Sequence, residues 1–208
     1  MTKDSTNTNL EHYQVAEVRN NDCVNANYNG AVGREYQIDV DFVKQIHGKV
    51  AESSIKHMVL GLRDEGLLES AVARQDAAVY IYGRGDIYSA PASLAYGLVK
   101  NHPFVDGNKR TAFISMLVVL LRIGWEWKLE GEKDVYTPLA DCLIEVASSQ
   151  GINQDKEVHK LADCLSKNCM QMTDRCKSWL PVYDDRYCFY HFFNDGFVRD
   201  GLNYLEDK

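Results

Sequence analysis

The stretch Ala112-Phe-Ile-Ser-Met-Leu-Val-Val-Leu-Leu121 is apolar on every side of a helix save for Ser115. A helix without a polar face has to lie inside a helical core, so other helices must surround this one. Arg122 ends the run and Gly124 supplies a C-terminal stop. The run is about half the roughly 20 residues that a bilayer crossing needs, which leaves the centre of a globular domain as its expected place.

The flanking sequence supplies the surrounding helices. Phe42, Val43, Ile46 and Val50 repeat at helical spacing behind Asp39 or Asp41 as cap, and Leu67, Leu68, Ala71 and Val72 follow Asp64 in the same way. Pro91 is placed to open a third helix with Ala95, Leu98 and Val99 inward, and Pro103 ends it near Asn101. The central helix is expected from about Arg110 to Ile123. Two more follow, one opened by Thr137-Pro138 and one marked by Val158, Leu161 and Leu165. One stretch differs in kind. Val79, Tyr80, Ile81 and Tyr82 have strand character before the turn signal Gly83-Arg84-Gly85, which predicts a short two-stranded hairpin over residues 77–88.

The expected fold class is therefore all-α, a helical bundle with a short β-hairpin flap. Residues 1–35, rich in Asn, Asp, Ser and Thr, read as a polar N-terminal arm, and residues 36–168 as the folded domain. Residues 169–208 form an aromatic-rich C-terminal extension whose rings, from Trp179 to Tyr204, need burial against the body or a partner.

Charge narrows the partners. With 23 Lys and Arg against 30 Asp and Glu in 208 residues, the net charge is −7. Direct nucleic-acid binding through a general basic footprint is excluded by that balance. The polar N-terminus has no secretory core and no run is long enough for a membrane span, so a cytoplasmic protein without a membrane partner is expected. The six cysteines have no disulfide-framework spacing and are expected as free thiols. A zinc site drawn from Cys164, Cys169, Cys176, His159 and Cys188-x-x-His191 lacks a familiar ligand spacing and is disfavoured.

One nonapeptide carries chemistry: His102-Pro-Phe-Val-Asp-Gly-Asn-Lys-Arg110, immediately before the central helix. A helix N-terminus offers unpaired N–H groups and a positive dipole end, suited to phosphate. Gly107 and Asn108 tolerate positive φ, which gathers successive N–H groups into an anion nest. Lys109 and Arg110 add full charges, unfavourable against the helix dipole unless an anion sits between them. Asp106 is a hard oxygen ligand of the type Mg²⁺ takes, and His102 is a base near neutral pH. Phe104 is expected to point inward as the loop's anchor. From these residues alone, phosphate binding, catalysis and a plain turn all remain open.

The string as a whole resembles the signature of the Fic/Doc family, in the form carried by its Doc (death-on-curing) branch. Ile46-His47, Gly61 to Val72, Ala112 to Trp125 and Pro138 to Leu165 are similar to Doc segments in the same order, so the resemblance covers roughly Tyr36 to Asn168. It implies a Fic/Doc-like helical fold with the loop between two central helices, and transfer of a phosphate-containing group from ATP to a protein hydroxyl. It implies His102 as general base, Asp106 as Mg²⁺ ligand, and Gly107, Asn108, Lys109 and Arg110 as nucleotide-phosphate contacts. It also implies that the hairpin at Val79, Tyr80, Ile81 and Tyr82 is the flap along which the target chain is laid.

The adenylylating members of the family carry Gly where this chain has Lys109, and a second Arg where it has Phe113. By resemblance to the Doc branch, these departures imply transfer of the γ-phosphate to a Ser or Thr of a target protein. The implied target is translation elongation factor Tu, and the implied outcome translation arrest in a toxin–antitoxin system. Transfer of AMP, as in Fic-type adenylyltransferases, is the alternative. A catalytically silent Doc fold that only binds an antitoxin is a third reading. Self-inhibited relatives carry Ser/Thr four residues before a Glu-Gly or Glu-Asn pair. Neither Glu65-Gly66 nor Glu130-Gly131 meets that pattern, so a separate antitoxin is expected.

Overall fold

The computed structural model describes residues 36–54, 57–82, 86–127, 137–171 and 196–206. The first 35 residues and most of the aromatic segment after 171 lie outside the described residues. The described helices are α1 (Val40–Ser53), α2 (Glu65–Ile81), α3 (Ser89–Asn101), α4 (Asn108–Ile123), α5 (Thr137–Ser148), α6 (Gln154–Asn168) and α7 (Gly196–Glu206). Two short strands accompany them, β1 (Trp125–Trp127) and β2 (Cys169–Gln171). The fold is all-α in class.

Capping chemistry starts the helices where the sequence placed them. The Asp39 carboxylate accepts from the Phe42 amide at 2.8 Å, and Asp64 accepts from Leu67 at 3.0 Å. Helix α4 is the centre: from Arg110 to Leu121 all of its residues are buried, as an all-round apolar helix requires. It packs against α1, α3, α5 and α7, while α3 lies between α2 and α4. The α2–α3 approach is close enough that a Cβ on Gly97 would stand 2.8 Å from the Ala71 Cα. Only glycine fits there. Lys100 then staples the far end of α3, donating to the Ser149 carbonyl at 2.7 Å and lying 3.5 Å from Glu157.

Three expectations need correcting. First, the hairpin is absent at its expected place: Val79, Tyr80 and Ile81 are the last turn of α2, and Tyr82 caps it, donating its amide to the Ala78 carbonyl at 2.9 Å. Four strand-prone residues cannot outcompete a helix already nucleated at Asp64 and held on α3 through Leu68, Ala71 and Ala78. Second, α3 begins at Ser89 rather than at Pro91, started by Asp86, whose carboxylate accepts from the Tyr88 and Ser89 amides. Third, the boundary at residue 168 is no seam. Cys169–Gln171 pairs antiparallel with Trp125–Trp127, and Leu202 and Leu205 of α7 are part of the core. The Tyr204 hydroxyl reaches Asp141 of α5 at 2.7 Å.

Cys142, Cys164 and Cys169 are free thiols. Cys176, Cys188 and His191 lie outside the described residues.

Candidate functional site: the loop before helix α4

His102 ends α3 in the left-handed conformation, φ 49° and ψ 54°, and is the one non-glycine residue with positive φ among the described residues. Such geometry costs roughly 1 kcal/mol for a side chain of this kind and turns the loop sharply out of the helix. His102 is exposed, and Pro103 and Phe104 behind it are buried. Phe104 does point inward, 1% exposed, as the anchor expected of it.

The loop is held from two sides. On one, it pairs with the extended residues after Met58: the Val105 amide donates to Gly61 at 2.9 Å, the Arg63 amide to Pro103 at 2.7 Å, and Leu62 faces Phe104 across an antiparallel bridge. On the other, the Asn108 side chain grips the Phe104 backbone, accepting from its amide and donating to its carbonyl, both at 2.9 Å. The same Asn108 Nδ2 stands 3.5 Å from His102 Nδ1. This double grip goes with a correction to the backbone expected at Asn108. Its φ is not positive and its side-chain amide bonds the Phe104 backbone, so of the Gly107–Asn108 pair Gly107 alone, at φ 73°, is left-handed.

Gly107 is the N-cap of α4 and has no side chain to satisfy the helix's first amides. The N-terminus of a buried helix is thus left open to an anion. Lys109 and Arg110 occupy its first turn. Asp106 turns back on the loop, accepting from the Gly107 amide at 2.5 Å, with Oδ1 3.5 Å from Arg110. Its side chain is 47% exposed, and no group of three or more His, Cys, Asp or Glu stands together among the described residues. One accessible carboxylate suits Mg²⁺, which binds through one or two carboxylates together with substrate phosphates and water. The donor set therefore fits the cation expected there.

Arg110 has partners that no short motif signals. Its Nη1 donates to Ser54, the C-cap of α1, at 2.5 Å and to Glu206, at the end of α7, at 2.6 Å. Both members of the Arg110–Glu206 pair are buried. His47 of α1 is a second unforeseen neighbour, lying flat on the Phe104 ring with centroids 3.8 Å apart. Phe113, in place of a second arginine, is fully buried in the core and carries no charge.

Partial burial, followed by the cations of Arg63, Lys109 and Lys100, pushes the His102 pKa below the usual imidazole value. At neutral pH it is an unprotonated base at the mouth of the loop. The arrangement combines an exposed base, an open helix N-terminus, two cations and one hard carboxylate within nine residues. Val79, Tyr80, Ile81 and Tyr82, being helical, present no strand edge to this loop. The extended edge beside it belongs to residues 59–63, where Val59, Leu60 and Leu62 are exposed.

Comparison with known proteins follows the same lines. A family model described as the Fic/DOC family matches residues 37–120. A protein of Mycolicibacterium smegmatis called "Toxin Doc" is 33% identical over 100 residues, spanning 44% of this chain and 75% of the relative. No solved structure matches.

Proposed function

The chain belongs to the Fic/Doc family, and from that premise we propose that it is a Doc-like toxin with protein Ser/Thr kinase activity, transferring the γ-phosphate of Mg-ATP to a hydroxyl of a target protein. The observation that carries this is the open N-terminus of α4, flanked by Lys109 and Arg110 and facing the exposed, unprotonated His102. The relative's name supports the toxin reading and, with it, a separate antitoxin partner.

In this reading His102 accepts the proton from the attacking hydroxyl, helped by a pKa low enough to leave it neutral. The first amides of α4, with Lys109 and Arg110, orient the phosphates and offset their charge. Asp106 would hold Mg²⁺, which when bound neutralises charge developing on the phosphate oxygens. Two features favour γ-phosphate over AMP transfer: Lys109 places an additional cation at the phosphate end, and the buried Phe113 supplies none further along. The target chain would lie along residues 59–63, adding a strand to the edge already bridged to Phe104. The proposed target is translation elongation factor Tu, and the consequence is arrest of translation in the cytoplasm.

The test is incubation with elongation factor Tu, and in parallel with a total soluble extract, using ATP labelled at the α or the γ phosphate. Label from γ alone supports the kinase, and label from α would establish adenylyl transfer instead. Label in the extract but not in the factor would overturn only the target. No label in either would leave an antitoxin-binding fold without transfer activity. His102→Ala should abolish any transfer observed, and retained activity would refute the base assignment.

A further inference from the structure

His47 sits on α1, outside the loop and far from it in sequence, yet it packs against both the loop and the first turn of α4. Its ring lies on Phe104 at an interplanar angle of 8°. Its Nδ1 is 3.1 Å from the Thr111 hydroxyl in the first turn of α4. A Cβ built on Gly107 would stand 3.5 Å from its Cε1, so the edge between the two ring nitrogens faces the left-handed turn itself. The remaining nitrogen, Nε2, is buried without a hydrogen-bond partner among the described residues, and the whole residue is 5% exposed.

A position that served packing alone would not carry this residue. Phenylalanine would give the same stacking without an orphaned polar atom, whose burial costs roughly 1–3 kcal/mol. The imidazole is also kept neutral: burial pushes its pKa down to about 4, and the charges acting on it are the loop's own, Asp106 favouring protonation and Arg110 opposing it. What the imidazole adds over a phenyl ring is the bond to Thr111. Together with the stacking, that bond ties both ends of the phosphate loop to α1. From Phe104 the restraint passes to Asn108, which grips the Phe104 backbone, and from Asn108 to His102 Nδ1.

We propose that His47 is a positioning residue for the loop, fixing the Gly107 turn and, through Phe104 and Asn108, the base His102. The proposal rests on the reading of the loop as the nucleotide-phosphate site. His47 itself transfers no proton and touches no substrate.

Three variants of the full chain separate its parts. His47→Phe keeps the stacking and loses the bond; Thr111→Val loses the same bond from the other side; His47→Asn places an amide near Nδ1 and loses the ring. Melting temperature, amide hydrogen exchange at residues 104–111, and kcat and KM for Mg-ATP are read for each. In His47→Phe and Thr111→Val, exchange should rise across the loop but not in α3, with kcat down about tenfold to a hundredfold and KM nearly unchanged. The double variant should be no worse than either single one, because one bond is removed twice. Unchanged loop exchange in His47→Phe and Thr111→Val, or additive losses in the double variant, would overturn the proposal. If the wild-type protein transfers no label, the kinase reading fails while loop exchange still decides the role of His47. Should His47→Phe not fold, Thr111→Val alone removes the same bond and gives the same reading.

Discussion

At the scale of single residues, the loop depends on a few groups in unusual states. Gly107 needs positive φ and has the Met58 sulfur only 2.5 Å from where a Cβ would stand. Gly107→Ala therefore meets both backbone strain and a clash, and should lower stability by about 2 kcal/mol or more, read from the urea midpoint. His47 sets a pH dependence. Its pKa is about 4 folded against 6.5 unfolded, so between those values the unfolded chain binds more protons and stability falls as pH falls. The loss on going from pH 7 to below 4 amounts to about 3 kcal/mol. Urea titrations at pH 7 and pH 4.5 should show a larger drop for the wild type than for His47→Phe, which has no such group. Equal drops would refute the assignment.

At the scale of elements, the segment from Ala77 to Tyr82 shows how context overrides local preference. Val, Tyr, Ile and Tyr favour strand on their own, but α2 reaches them already capped at Asp64 and packed on α3. Ala78 is 2% exposed on that packed face. Ala78→Gly should cost about 1 kcal/mol with a matching fall in helical circular dichroism, whereas a hairpin there would lose no helix signal. The extended segment that does lie beside the loop, residues 59–63, carries a single isolated bridge, Leu62 to Phe104. It is extended because Pro103 and Val105 offer backbone partners to Arg63 and Gly61, with Leu62 bridged to Phe104 between them.

At the scale of the whole molecule, the C-terminal helix ends on the loop. Glu206 of α7 bonds Arg110 of α4 across 96 residues, and the two bury their charges together. In the proposed reading of Arg110 as a phosphate contact, this carboxylate competes with the phosphate for the guanidinium. Glu206→Gln should therefore tighten Mg-ATP binding, by about tenfold or roughly 1.4 kcal/mol, read by titration calorimetry. The same change should lower the melting temperature, because Arg110 loses a buried ionic partner. Unchanged affinity would mean that Arg110 is not a phosphate contact. Either way, residues 169–171 and α7 are part of the helical domain: β2 pairs with β1, and α7 closes the core through Leu202 and Leu205.

Much of this was legible beforehand because it depends on near neighbours in the chain. The all-round apolar stretch at Ala112–Leu121 specified a central helix, Asp64 and one of Asp39 and Asp41 marked helix starts, and nine consecutive residues marked the loop between α3 and α4. Each of these signals lies within one or two turns, where spacing and side-chain type decide the outcome. Tertiary structure alone decided which distant groups complete the loop: His47 beneath Phe104, Ser54 and Glu206 on Arg110, and the bridge from Leu62 to Phe104. It also decided that Val79–Tyr82 is helix. Packing energy comes from surfaces brought together across tens of residues, and no periodicity in the chain records which surfaces will meet.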